Sequence, residues 1–316
     1  MEHTELQTIT IATYLRPNEL PSENFMALVA ELKKKDMLYR VCVCMSSINR
    51  GLPDEWTYYY DRENSKYMRI KYLLSCKKDR YILSIDNDVA LNIPQVVVFC
   101  RQMILSGASL GYGRIGVSNN RGLAKLIAVD KVISHHIIRP FLWKINCGAS
   151  IPGQCFMIRC SDYNDLPTPD TMLDDLQIGM FTRKKRLRRH VASRQLGQER
   201  AKETFFELLT QRKRWAKGFA QTLKTSCSCG INDFFIVAAH GVAYHVMPIF
   251  FALLVLFFFF IMPWAGLILL SIYIATIGCF NFSLIPAALG YIVIFPIIHL
   301  FWLFHFFISI GTDNGQ

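Results

Sequence analysis

Over the first third of the chain, apolar residues form short β-branched runs, and helically spaced apolar positions lie between them. Residues 8–14 read Thr-Ile-Thr-Ile-Ala-Thr-Tyr and predict a strand. Residues 24–35 predict a helix, and 39–45 a second strand followed by a polar turn. Residues 65–76 predict a helix carrying Lys66, Arg69 and Lys71. Residues 81–85 form a short apolar run that leads directly into Asp86-Asn87-Asp88, and 94–106 predict another helix. This strand–helix alternation predicts an α/β fold with a mostly parallel, doubly wound sheet. Such sheets collect ligands beyond the carboxyl ends of their strands, and Asp86 and Asp88 stand at that edge. Two carboxylates one residue apart can share a hard divalent cation, with water and phosphate completing its shell. A solvated acidic turn has the same pattern.

The middle of the chain is less regular. Residues 107–144 are Gly-rich, then basic, and give no clear element; His135 and His136 there have no evident third ligand and read as surface or core histidines. Ile151-Pro152-Gly153-Gln154 reads as a turn into a strand over 155–158, with backbone able to approach a ligand near Gly153. A helix is expected from Thr171 to Phe181, with Thr171 as N-cap and Asp174 three residues on. Capping accounts for one acid there, not for both Asp174 and Asp175. Residues 201–224 contain no proline and predict a helix on which Gln211, Arg214 and Trp215 share a face. An amide, a cation and an aromatic plate suit a site where a sugar ring stacks and a phosphate meets a guanidinium. An amphipathic surface helix with a half-buried tryptophan would look the same.

From Phe234 to Ile310 the chain is almost wholly apolar. At about 20 residues per span, this tract fits three membrane spans, with breaks near Pro263-Trp264 and between Asn281 and Pro286. Charge sharpens this division. All 35 Lys and Arg residues precede residue 225, and only Asp233 and Asp313 of the 24 acids follow it. The asymmetry predicts an integral membrane protein, by default of the plasma membrane, with residues 1–224 in the cytoplasm. Met1 to Arg16 has no signal-peptide pattern. The ten cysteines include no C-x-x-C and no His partner at zinc spacing, so a cysteine metal site is not expected and a reducing compartment fits. Cys227 and Cys229 stand at the membrane junction, where plain cysteine is favoured over an acylated one. The basic stretch 183–190 fits anionic headgroups or plain solvation equally, and no nucleic-acid motif accompanies it. His240, His245, His299 and His305 fit the lining of a polar path, with a location near headgroups favoured for most of them.

Taken in order, Asp86-Asn87-Asp88, Leu173-Asp174-Asp175 and Gln211-Arg212-Lys213-Arg214-Trp215, followed by Gly218, resemble the signature of family 2 glycosyltransferases. The branch it looks most like is the membrane-embedded one of cellulose, chitin and hyaluronan synthases. The resemblance implies a GT-A fold, Rossmann-like and cytosolic, over 1–197. Interfacial amphipathic helices with the Gln-x-x-Arg-Trp motif would follow over 198–232, and about three transmembrane helices over 233–312.

The resemblance also implies roles. Asp88, with help from Asp86, would hold Mg²⁺ or Mn²⁺ on the diphosphate of a nucleotide sugar. Asp175, with Asp174 beside it, would be the general base. Arg214 would meet the departing diphosphate, Trp215 and Gln211 would position the acceptor, and Gly153 and Gln154 match an acceptor-side turn. Thr13, Tyr14, Lys66 and Arg69 fall where the family contacts the donor. The sequence departs from the family at Met45-Ser46-Ser47, where an aspartate usually follows the second strand. It departs again at Leu173-Asp174, which replaces Thr-Glu, and no span precedes the catalytic part.

The expected activity is inverting transfer from a nucleotide sugar, UDP-linked by expectation, to a glycan, making a β-linked surface or capsular polysaccharide. Transfer of one sugar to a ceramide- or polyprenyl-type lipid is the second reading, and a non-catalytic membrane subunit the third. Expected partners are the donor, a glycan or lipid-linked acceptor and membrane lipids, with homo-oligomerisation left open and no nucleic acid.

Overall fold

The computed structural model describes residues 9–45, 52–60, 66–75, 80–118, 121–167 and 173–312. Ser46, Ser47, Thr171 and the side chains of Lys66 and Cys229 lie outside the described residues. The chain divides into two compact units, one of residues 1–116 and 151–200, the other of 117–150 and 201–316.

In the first unit the elements run β1 (Ile9–Leu15), α1 (Glu23–Lys34), β2 (Leu38–Met45), β3 (Thr57–Tyr60), α2 (Lys66–Ser75), β4 (Tyr81–Asp86), β5 (Val89–Leu91), α3 (Ile93–Ser106), β6 (Leu110–Tyr112) and β7 (Ile115–Val117). They resume after residue 150 with β8 (Cys155–Arg159), α4 (Asp174–Lys184), β9 (Arg189–Val191) and β10 (Gly197–Glu199). Seven strands form one sheet in the order β3-β2-β1-β4-β8-β6-β9, and β5, β10 and β7 form a small second sheet.

The large sheet is mixed. β1 pairs in parallel with β2 and β4, β2 with β3, and β6 with β9. β8 runs antiparallel between β4 and β6. It starts at the turn beside the end of β4, so it can only run back along that strand. β1, β4 and β8 are buried almost throughout, as β-branched and apolar strands covered on both faces must be. Phe25, Phe99 and Phe156 are fully buried there.

Local chemistry sets the helix ends. Ser22 caps α1 by accepting from the Phe25 amide at 3.2 Å. Asn92 caps α3, Pro94 sits in its first turn, and Gly107 ends it at φ 59°, a left-handed conformation that suits glycine. α4 begins at Asp174 with Leu173 as N-cap, two residues later than the cap expected at Thr171, and Leu173 makes no side-chain cap bond. Both acids therefore occupy the first turn, where negative charge suits the positive helix end. The Tyr163 hydroxyl, 2.6 Å from Thr182 Oγ1, ties α4 to the loop after β8. Burial pushes that phenol's pKa above its usual range.

The second unit is helical: α5 (Leu123–Val132), a π-helical stretch Ile133–Ile138, α6 (Arg139–Lys144), α7 (Phe205–Cys229), α8 (Ile231–Gly241), α9 (Met247–Ile261), α10 (Pro263–Phe280) and α11 (Ile285–Thr312). The basic stretch that resisted assignment thus supplies α5 and α6. Three segments, Ile231–Ile261, Pro263–Phe280 and Phe282–Thr312, are long and apolar enough to cross a membrane. Their breaks fall at Met262 and Asn281, close to the positions the sequence predicts. His240, His245 and His299 are buried among these helices, and His245 Nδ1 lies 3.2 Å from His299 Nδ1. All three therefore pack against neighbouring side chains of these helices.

Candidate active site

The first unit gathers its site at the carboxyl end of β1 and β4. Parallel register sets Tyr14 beside Asp86. Asp86 ends β4 half-buried, and Asp88 is exposed two residues on, across the turn into β5. Asn87 between them is held from three directions. Its Oδ1 accepts from the Ser22 amide at 2.7 Å. Its Nδ2 donates to Glu19 Oε1 at 2.9 Å and to the Leu20 carbonyl at 3.0 Å. Sequence reasoning passed over Asn87, although a residue able both to donate and to accept, between two acids, is a signal that the turn is anchored.

The turn before β8 reaches the same place. The Asp86 amide donates to the Gln154 carbonyl at 2.9 Å. The Gln154 side chain donates to Glu199 Oε2 at 2.7 Å. Gly153 lies against Asp175: a Cβ at Gly153 would stand 3.2 Å from the Asp175 Cβ and 3.7 Å from its Oδ2. Asp175 Oδ1 also accepts from the Leu176 amide at 2.9 Å. The structure thus brings Asp86, Gly153, Gln154 and Asp175 together in one unit, with Asp174 half-buried next in chain.

Among the expected donor contacts, Tyr14, Arg69, Thr13 and Asp86 line one small recess. Arg69 is only 3% exposed, and its guanidinium lies 3.5 Å from the centroid of the Tyr14 ring. Thr13 is buried, and its hydroxyl donates to the Ile85 carbonyl at 3.0 Å. That hydroxyl is committed within the sheet. No group of three or more His, Cys, Asp or Glu residues suited to a metal occurs among the described residues. Two carboxylates on one turn, Asp86 and Asp88, have the chemistry to share a hard divalent cation whose remaining ligands are water and phosphate oxygens.

In the second unit, Gln211, Arg214 and Trp215 lie on α7. Arg214 is exposed, whereas Gln211 and Trp215 are half-buried. The buried arginine of the stretch is Arg212, in line with Leu208 and Ala216 at four-residue spacing. An arginine inside an apolar stripe signals a buried partner, and its Nη2 lies 2.7 Å from Asp130 Oδ2.

Comparison with known proteins agrees with this architecture. A family model described as glycosyl transferase family group 2 matches residues 81–308. No curated protein matches the chain in sequence. Among solved structures, the chain is similar to a mannosyltransferase from Pyrobaculum calidifontis in complex with GDP-mannose and Mn²⁺. The TM-score is 0.53 and the identity 14%, over 97% of this chain and 87% of that one. A glucosyl-3-phosphoglycerate synthase from Mycobacterium tuberculosis matches at TM-score 0.45 and 15% identity, over 68% of this chain and 80% of that one. A mannosyl-3-phosphoglycerate synthase from Rubrobacter xylanophilus matches at 0.48 and 12%, over 69% and 74%. The first of these shows the GT-A fold.

Proposed function

Because the chain belongs to glycosyl transferase family group 2, we propose that it is a membrane-bound inverting transferase that moves a sugar from a nucleotide diphosphate onto an acceptor hydroxyl. The observation that carries this reading is the short path of contacts from Asp86 through Gln154 and Gly153 to Asp175. That closeness of Asp86 and Asp175 supports reading them as diphosphate end and base of one site.

Asp175 accepts the proton of the acceptor hydroxyl as that oxygen attacks the anomeric carbon. The bond from the anomeric carbon to the diphosphate breaks, and the nucleotide diphosphate leaves with inverted configuration at the sugar. Arg214 meets the negative charge that develops on the leaving group. Trp215 stacks on the acceptor and Gln211 hydrogen-bonds it, so that binding supplies part of the orientation. Asp86 and Asp88 would hold Mg²⁺ or Mn²⁺, and such an ion, when bound, neutralises diphosphate charge. The GDP-mannose and Mn²⁺ of the Pyrobaculum calidifontis enzyme support a nucleotide-diphosphate donor and a divalent ion. UDP remains the first donor to try.

The product is proposed to be a β-linked surface polysaccharide. A second reading, one sugar added to a ceramide- or polyprenyl-type lipid, is favoured by a membrane part of only three apolar segments among the described residues. The full chain in detergent, incubated with Mn²⁺, UDP- and GDP-sugars and a set of alkyl glucoside, ceramide and polyprenyl phosphate acceptors, decides by product mass. A ladder supports the polymer, and a single increment the lipid product. Asp175→Asn should lose transfer by at least about a hundredfold while still binding the donor. Wild-type turnover in that variant would remove Asp175 as the base, and no transfer with any pair would remove the reading itself.

A further inference from the structure

Arg212 fills a motif position that family resemblance leaves unspecified, yet it is buried and ion-paired. It is 5% exposed. Asp130 on α5 takes its guanidinium at 2.7 Å through Oδ2 and the Tyr291 hydroxyl of α11 at 3.0 Å through Oδ1. Both carboxylate oxygens are therefore engaged. Tyr291 stacks on Phe295, centroids 4.3 Å apart and planes 24° from parallel. The Arg212 guanidinium carbon lies 5.9 Å from the Phe295 centroid and 4.6 Å from the centroid of Trp215. The cation thus lies within reach of both a core ring and the ring of the motif tryptophan.

For stability alone this is a poor choice. A buried ion pair is often matched or bettered by apolar residues of the same volume, and the Arg212 stripe is otherwise apolar. What an arginine supplies there, and a methionine does not, is a planar cation that holds an indole in one orientation. We propose that Arg212 is a positioning residue: fixed by Asp130 and Tyr291, it sets the plane of Trp215 and so the geometry of the acceptor. This rests on the acceptor role assigned to Trp215 above. It also makes Tyr291, on an apolar segment long enough to cross a membrane, part of what holds the acceptor plate.

The test uses the full chain in detergent, labelled with 5-fluorotryptophan, the Trp215 resonance being identified by its loss in Trp215→Phe. Three variants are compared: Arg212→Lys, which keeps the charge but not the plane; Arg212→Met with Asp130→Asn, which leaves no unpaired charge; and Tyr291→Phe, which removes one hydroxyl. The first two should shift the Trp215 resonance and raise KM for the acceptor that the wild type uses roughly tenfold. Hydrolysis of the donor by water should not fall in parallel. Tyr291→Phe should do the same to a smaller degree.

An unmoved Trp215 resonance in folded Arg212 variants overturns the proposal, as does an equal fall in acceptor transfer and donor hydrolysis. Should the Arg212 variants fail to fold, Tyr291→Phe decides by the same two readouts. If the wild type transfers no sugar, the functional reading fails, while the fluorine resonance still decides whether Arg212 orients Trp215.

Discussion

Gly153 is a residue whose only side-chain property is absence. Its backbone has no need of a left-handed conformation, yet an added Cβ would meet the Asp175 Cβ at 3.2 Å, tighter than ordinary van der Waals contact. Gly153→Ala therefore tests proximity and not backbone freedom. The expected result is a fall in kcat of about tenfold to a hundredfold, because small misplacements of a reacting group are costly. Donor affinity, measured by titration calorimetry, should hold. Unchanged kcat would mean that Asp175 has slack that its packing does not suggest.

Single residues also mark what could be read in advance. Asp86, Asp88, Asp174 and Asp175 are visible in the sequence as two acidic groups, and the structure brings Asp86 and Asp175 into one unit. That Arg212 and not Arg214 is the buried arginine is not visible there, because burial depends on Asp130, which lies 82 residues away. The Thr13 hydroxyl likewise looks available until β4 supplies its acceptor.

Among elements, those with strong internal patterning match the structure closely: β1, β2, β4 and the helices α1, α2 and α3 agree with the predicted segments to within a residue or two. The misses are short strands such as β5, β6, β7, β9 and β10, three residues each. Three residues carry too little alternation to signal a strand, and distant partners define them. The reversal of β8 is similarly a property of neighbours. α7 shows the opposite case, a helix whose start is written locally. Thr204 Oγ1 accepts from the Glu207 amide at 3.2 Å, and Glu207 Oε2 accepts from the Thr204 amide at 3.4 Å. Thr204→Ala should destabilise this end by about 1 kcal/mol. Faster hydrogen exchange confined to the first turn of α7 is the signature, and protection equal to wild type would count against the capping box.

For the whole molecule, the decisive feature is the uneven distribution of charge and grease. Phe257, Phe260, Trp264, Phe304 and Phe307 are each more than half exposed, and exposed apolar side chains in such number mark an interaction surface. The three segments that carry these residues are long and apolar enough to cross a membrane, where such side chains are exposed at no cost. The chain should stay with the membrane pellet after washing in alkaline carbonate and leave it only in detergent; release by salt alone would reduce the apolar segments to a peripheral attachment. This division was legible from composition, since the last ninety residues hold no Lys or Arg. How the chain partitions into units was not, because residues 117–150 join the helical unit from the middle of the α/β sequence.

The middle letter of an acidic triplet is conventionally free to vary. Here Asn87 gives two protons, to Glu19 and Leu20, and receives one from Ser22. An aspartate in its place could receive but not give, and would set its charge against Glu19. Of the three positions, the variable one is the keystone: loosen it, and both flanking acids lose the ledge on which they are mounted.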